Sequence, residues 1–492
     1  MKNSHKITLL FFLISISISA QKKNIFLNRD FWKINPSISI IDKKIAEGND
    51  ITELNINAFD AVTYALLEKV DNKTIKYLIS KKGNDVNKIT HDGRTYIFWA
   101  AYKNNVEIMK HVISKGAKTD VIDTHGNTFL NFAASTGVLN KEVYKYSFKI
   151  GADITKEKNH DGANALLLVA PYLKDDKIVD YFILNGATLK DKDNNGNGLF
   201  EYTAKGGNID LLKILLNKKV AIGKNAMIFA SQGLRRQKNT LTTYKALESL
   251  GVKANVVDHK RRNPLHYIAY NNKDLETYKY FISKGVDTDL QDINGDTPLI
   301  NAANSNSLQV VEFLSQKVKN INSENKNGLS ALTKSVNRNS VEVVEFLLSK
   351  GAKINTIDKK GNSLSYYLIN NFKSSNPLSF NEKLKVLEKN GLVVNQPQNN
   401  QNTLLHIATE RNNLPLLTRL SSFKINVNVK NKAGLSALQI AAMKANDANI
   451  IKYLISIGAD KNVTTDFNET VFDLASENEL LKKQNINISF LK

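Results

Sequence analysis

The most regular pattern of apolar and polar positions runs over 292–322. It reads D-I-N-G-D-T-P-L-I-N-A-A, then S-L-Q-V-V-E-F-L-S-Q, then a short polar tail. Residues 292–295 have turn chemistry, because Gly295 can take φ > 0 and the Asp292 side chain can bond its own backbone. Thr297 and Pro298 predict a helix start, with Thr as cap and Pro in the first turn. Leu299, Ala302 and Ala303 share one small helical face, and Val310, Val311, Phe313 and Leu314 give a second amphipathic helix. The pattern predicts turn, helix, turn, helix in about 33 residues. Neither helix can bury its apolar face alone, so the segment requires neighbours.

Those neighbours are present. The position of Gly295 recurs as Gly93, Gly126, Gly162, Gly196, Gly223, Gly328, Gly361 and Gly434, with degenerate copies at Asn57, Arg261, Gln401 and Asn468. Steps between anchors range from 27 to 40 residues and cluster near 33. With Thr297-Pro298-Leu299, Asn263-Pro264-Leu265-His266, Thr403-Leu404-Leu405-His406, Gly151-Ala152-Asp153 and Gly458-Ala459-Asp460, the chain resembles the ankyrin repeat family. The resemblance implies an all-α ankyrin-repeat solenoid of helix-turn-helix units with short hairpin loops, about 13 units. Several copies lack the anchor glycine or the T-P-L, and their hairpins are expected to be less regular.

Four segments follow: a signal peptide at 1–20, a capping half-repeat at 21–56, the repeat array at 57–463 and a capping repeat at 464–492. The first has a basic start (Lys2, Lys6), an apolar run from Ile7 to Ile18, and Ser19-Ala20 before Gln21, the layout of a cleavable export signal. A run of twelve residues is too short to span a bilayer, which takes about 20. The expected location is therefore the periplasm or the exterior. In the half-repeat, Ile38, Ile41 and Ile45 predict a helix ending at Gly48, and Phe31 and Trp32 are expected to plug the core of the first full repeat. Repeat six, at Gly223, is the least regular, with helices expected at 225–230 and 243–250 and a basic loop at 232–238. Repeat ten has seven extra residues around 371–381, read as a loop because they contain Pro377 and serines.

Composition changes this picture in two ways. The absence of Cys excludes disulfides, thiolate nucleophiles and Cys-type zinc sites. The net charge of +21 favours acidic partners, although the chain is rich in Lys, Asn and Ile throughout.

No catalytic constellation emerges. H-E-x-x-H, G-x-S-x-G and P-loop patterns are absent. Gly196-Asn197-Gly198 lacks both the third glycine and the preceding strand of a dinucleotide site. His91, His125, His160 and His259 fall on separate hairpin tips about 8–10 Å apart, too far for shared metal ligation unless their side chains converge. His266 and His406 occupy the T-P-L-H position, which the resemblance makes structural. No cofactor is expected, and the chain is not expected to be an enzyme.

What remains is recognition. The resemblance places contacts one and two residues before the anchor, one after it, and nine and ten after it. In repeats two to four those positions hold His91, Asp92, Arg94, Tyr102, Lys103, Thr124, His125, His160 and Tyr172. In repeats seven to twelve they hold His259, Lys260, Arg262, Tyr270, Asn271, Lys326, Arg338, Lys359, Lys360, Arg411, Lys432 and Lys444, with Asp296 and Glu410 as acidic exceptions. The expected function is a non-catalytic protein-binding scaffold that docks an acidic protein surface, as a monomer. Two alternatives are an exported effector or toxin with an unrecognised activity, and a non-specific binder of envelope glycan or nucleic acid. Nucleic acid is disfavoured by the export signal and by the lack of a stacking aromatic series.

Overall fold

A computed structural model describes residues 24–492, and the expected signal peptide lies outside them. Among the described residues every regular element is helical, and the only β pairing is isolated bridges, such as Glu324 with Ser330 and Thr464 with Thr470, at hairpin tips. The chain forms two compact parts, one ending at Leu199 and the other starting at Phe200. No helix is long and apolar enough to cross a membrane among the described residues.

The repeat at 292–322 shows how sequence becomes structure. Asp292 Oδ1 accepts from Asn294 N at 2.7 Å and from Asp296 N at 3.0 Å, which closes the turn around Gly295 at φ +80. Thr297 Oγ1 caps the helix Pro298–Ser305 by accepting from Ile300 N. Leu299, Ala302 and Ala303 are buried, and so are Val310, Val311 and Leu314 of the following helix Leu308–Ser315. Small residues let Pro298–Ser305 approach its neighbour Ala331–Arg338 closely. The same Asx turn recurs at Asn55, Asp123, Asn159, Asp193, Asp258, Asn325, Asp358 and Asn431, always three residues before a left-handed residue.

This rule corrects two anchors. In the first repeat the left-handed residue is Ala58, φ +57, and not Asn57, because Asn55 closes the turn. Gly223 is not left-handed, and Val220 stands where most other repeats carry an Asp, Asn or Thr that closes the turn. The helices of that repeat run Ala226–Gln232 and Leu241–Ser249.

Successive tips are latched by backbone. Thr124 N donates to Asp92 O in the first part. In the second, Ile293 N donates to Lys260 O (3.0 Å), Lys326 N to Asn294 O (2.8 Å), Lys359 N to Asn327 O (3.0 Å) and Lys432 N to Asn400 O (2.8 Å). At the opposite end of the repeats, Asn side chains tie helix C-termini together. Asn306 Nδ2 donates to Ala269 O and Asn272 O, and Asn339 Nδ2 to Ala303 O and Asn306 O.

Repeat ten departs from this rule and from expectation. Pro377 does not sit in a loop; it opens the long helix Pro377–Lys389, where its fixed φ suits the first turn and its missing N–H costs nothing. The loop shrinks to 371–376. The buried Lys383 then replaces the Asn tie, donating from Nζ to Val336 O at 3.0 Å and Ser335 O at 3.4 Å. Burial lowers its pKa to about 8.

At the N-terminal end the helix Ile38–Ala46 forms, and two short turns precede it, Ile25–Leu27 and Arg29–Lys33. Trp32 is fully buried against Phe26 and Phe31, and its Nε1 donates to Phe26 O at 3.0 Å.

Candidate functional site

The inner helices of repeats seven to ten and the loops beside them line a groove in the second part. Tyr270, Asn301, Asn304, Lys334, Asn337, Arg338 and Tyr367 surround a cavity of about 330 Å³ in it. Each of these seven residues lies six, nine or ten positions after its anchor. Helical periodicity puts those positions on one face, about one turn apart. The family-derived contact positions supplied Tyr270 and Arg338 but missed Asn301, Lys334 and Tyr367, all six after their anchors. The signal available was the helical spacing itself.

Two phenols sit in this groove. Burial, together with the Asp296 carboxylate, raises the Tyr270 pKa. Burial and a hydrogen bond to Asp358 raise that of Tyr367. Both therefore remain neutral at physiological pH. Arg338 is exposed, Tyr270 is 46% exposed with the remainder of its ring packed into the groove, and Lys334 is half-buried, so the groove presents cations beside aromatic edges.

The hairpin tips add a row of exposed cations: His259 (when protonated), Lys260, Lys326, Lys359, Lys360 and Lys432. Asn271 and Lys444 are also exposed. Two arginines have structural work instead. Arg262 is half-buried, its Nε 3.3 Å from Asp292 Oδ2 and its guanidinium 5.6 Å from the Tyr267 ring. Arg411 is half-buried too, donating to Asn370 Oδ1 at 2.8 Å and lying over the Tyr366 ring. Both links join neighbouring repeats.

The first part is built differently. Arg94, proposed for contact from its position, is buried. Its Nε donates to the buried Asp123 at 2.9 Å, Nη1 approaches Asp92 at 3.2 Å, and the guanidinium lies 4.0 Å from the Phe132 ring. Tyr102 and Lys103 are half-buried, and burial with Lys69 nearby lowers the Lys103 pKa. Tyr172 spends its hydroxyl on Ser135 O.

Two of the tip histidines do converge. His91 Nε2 and His125 Nε2, from adjacent tips, converge on Asp92 Oδ2, each at 3.4 Å. The Arg94 guanidinium shares that oxygen, so a cation already fills the place a metal would take. Among the described residues no group of three or more His, Asp or Glu is placed to hold a metal ion.

His266 and His406 are structural, as the resemblance implied. His266 Nδ1 accepts from Asn263 N, and its Nε2 lies 3.1 Å from Asp296 O of the next tip. His406 repeats this with Thr403 N and Leu435 O. Each imidazole thus caps its own helix and ties it to the next hairpin. Burial lowers both pKa values.

Comparison with known proteins agrees with this architecture. A family profile for ankyrin repeats (3 copies) matches residues 62–158, 234–323, 265–358 and 375–465, more than half of the chain. The ankyrin repeat protein L371 of Acanthamoeba polyphaga mimivirus is 23% identical over 236 residues, 46% of this chain and 30% of that protein. The NAD-dependent deacetylase sir2B of Dictyostelium discoideum is 24% identical over 265 residues, 53% of this chain and 29% of that protein. The chain thus spans less than a third of either relative. Among solved structures, the ankyrin repeat domain of human ASB11 matches with a TM-score of 0.38 at 20% identity, over 45% of this chain and 96% of that domain. The profile matches, the recurrent turn, helix, turn, helix unit and the latched tips make this chain a member of the ankyrin repeat family, whose fold serves in general as a non-catalytic protein-interaction module.

Proposed function

We propose that the protein is an exported binding scaffold whose groove at repeats seven to ten docks an acidic protein surface. One observation carries this reading: Tyr270, Lys334, Arg338 and Tyr367 line one cavity, and the hairpin tips of the same run of repeats carry the exposed cations Lys326, Lys359 and Lys360. Stacking sets these side chains in place before binding, which lowers the ordering cost of association. The layout of residues 1–20 supports export.

The test is capture of partners from native envelope extract by the wild-type chain and by Lys326→Glu/Lys359→Glu/Lys360→Glu. Arg262 is left intact because Asp292 depends on it. A defined acidic protein retained by wild type and lost by the variant is expected; equal capture contradicts the assignment. Mass spectrometry of the exported chain should show Gln21 as its first residue, and an intact Met1 contradicts cleavage.

A further inference from the structure

The last two repeats enclose a larger cavity, about 660 Å³, of opposite character. Its apolar lining includes Leu435, Met443, Leu474 and Leu480, and Phe467 at the last hairpin tip. Phe467 is 86% exposed, Leu480 45% and Met443 42%, a concentration of uncovered apolar surface that solvation opposes. Around it stand Asp466, Glu469, Glu477 and Glu479. None of these four forms an ion pair among the described residues, and Lys444 is the only cation in the lining.

Two latches found elsewhere in the array are absent at this cavity. Asp466 N makes no backbone bond to the preceding tip among the described residues, unlike Lys326 N or Lys359 N. Gln439 holds the place of His266 and His406 in its repeat. Its Oε1 accepts from Ser436 N at 2.9 Å, but its Nε2 is buried without a partner and ties nothing to the last tip.

We propose that this cavity docks a positively charged peptide segment of a partner protein, which inserts one large apolar side chain among Phe467, Met443 and Leu480. The acidic rim selects the charge, and the apolar floor demands the side chain. The site is separate from the groove at repeats seven to ten and does not depend on that reading.

The test uses the full chain and a labelled heptapeptide in which three alternating Lys and Arg residues flank a central Leu on each side, followed by fluorescence polarisation. A second peptide carries Gly at the centre. The Leu peptide should bind about tenfold tighter than the Gly peptide, the worth of one buried aliphatic side chain. Glu477→Lys/Glu479→Lys should weaken the Leu peptide about tenfold or more. Phe467→Ala should abolish the difference between the peptides. These residues are exposed, and unchanged melting will show that the variants fold. Equal binding of both peptides, or binding indifferent to Glu477→Lys/Glu479→Lys, overturns the proposal. So does a concentration-dependent dimer in sedimentation that the same double variant dissolves, because the occupant would then be a second copy.

Discussion

The tip at 292–296 and the tip at 465–469 use the same turn, yet their neighbours hold them differently. At the first, Asp292 closes the turn, Ile293 N bonds back to Lys260 O, and His266 ties in at Asp296 O. At the last, Thr465 closes the turn through longer bonds of 3.3 Å to Phe467 N and Glu469 N, and neither the backbone bond nor the imidazole tie is made. The latched tips carry cations beside a small groove, and the unlatched tip carries Phe467 and acids around a larger cavity. Register decides which positions face the groove. The side chains at those positions then decide its charge and how open it is.

The largest expected effect comes from glycines at one register position. A Cβ on Gly295 would lie 2.8 Å from Lys326 N and 3.0 Å from Asn325 Cα, which are backbone atoms of the latched neighbour. A Cβ on Gly434 would meet only the Asp466 carboxylate, at 3.1 Å, and that side chain can swing away. Both glycines have positive φ. Gly295→Ala should therefore cost about 3 kcal/mol or more and Gly434→Ala about 1 kcal/mol, the strain of the left-handed backbone alone. Denaturant unfolding with hydrogen exchange at the two tips separates these outcomes, and equal losses would show that the last tip is latched after all.

A smaller effect depends on pH. His266 and His406 have folded pKa values below the ordinary 6.5, so the folded state resists their protonation. Their contribution is complete above pH 6.5 and is lost as pH falls below it, at up to about 1.4 kcal/mol per pH unit for each histidine. In the last repeat Asp473 does the capping instead. The Thr470 hydroxyl and backbone N–H lower its pKa, so its contribution persists until pH drops below 3.8. Replacing both histidines by Gln, the residue found at 439, should keep the caps but lose the ties, costing about 1 kcal/mol each at neutral pH. Between pH 7 and 5 the variant should be flatter than wild type. A wild-type profile already flat over that range contradicts the neutral-imidazole tie.

Much of this architecture was legible in the residues. Asp292 with Gly295, and Thr297 with Pro298, announce a turn and a helix start by local chemistry, and the period of about 33 announces the stack. Where reading failed, the deciding partner lay elsewhere. The left-handed residue of the first turn is Ala58, not Asn57; Gly223 is not left-handed; and Pro377 opens a helix rather than marking a loop. Lys383 takes the place of an Asn tie that no local motif announces. At the candidate site, register picked out Tyr270 and Arg338, which line the groove. It could not show that Arg94 and Arg262 serve Asp123 and Asp292, because those partners belong to the next repeat.

The most direct test is a crossed binding measurement by calorimetry. A glutamate-rich heptapeptide with a central Tyr and the lysine-arginine peptide with a central Leu are each titrated into wild type, Lys326→Glu/Lys359→Glu/Lys360→Glu and Glu477→Lys/Glu479→Lys. Two opposite grooves predict that each variant loses one peptide about tenfold or more and keeps the other. If both variants shift both peptides by similar factors in opposite directions, net charge alone governs binding and the two-groove account is wrong.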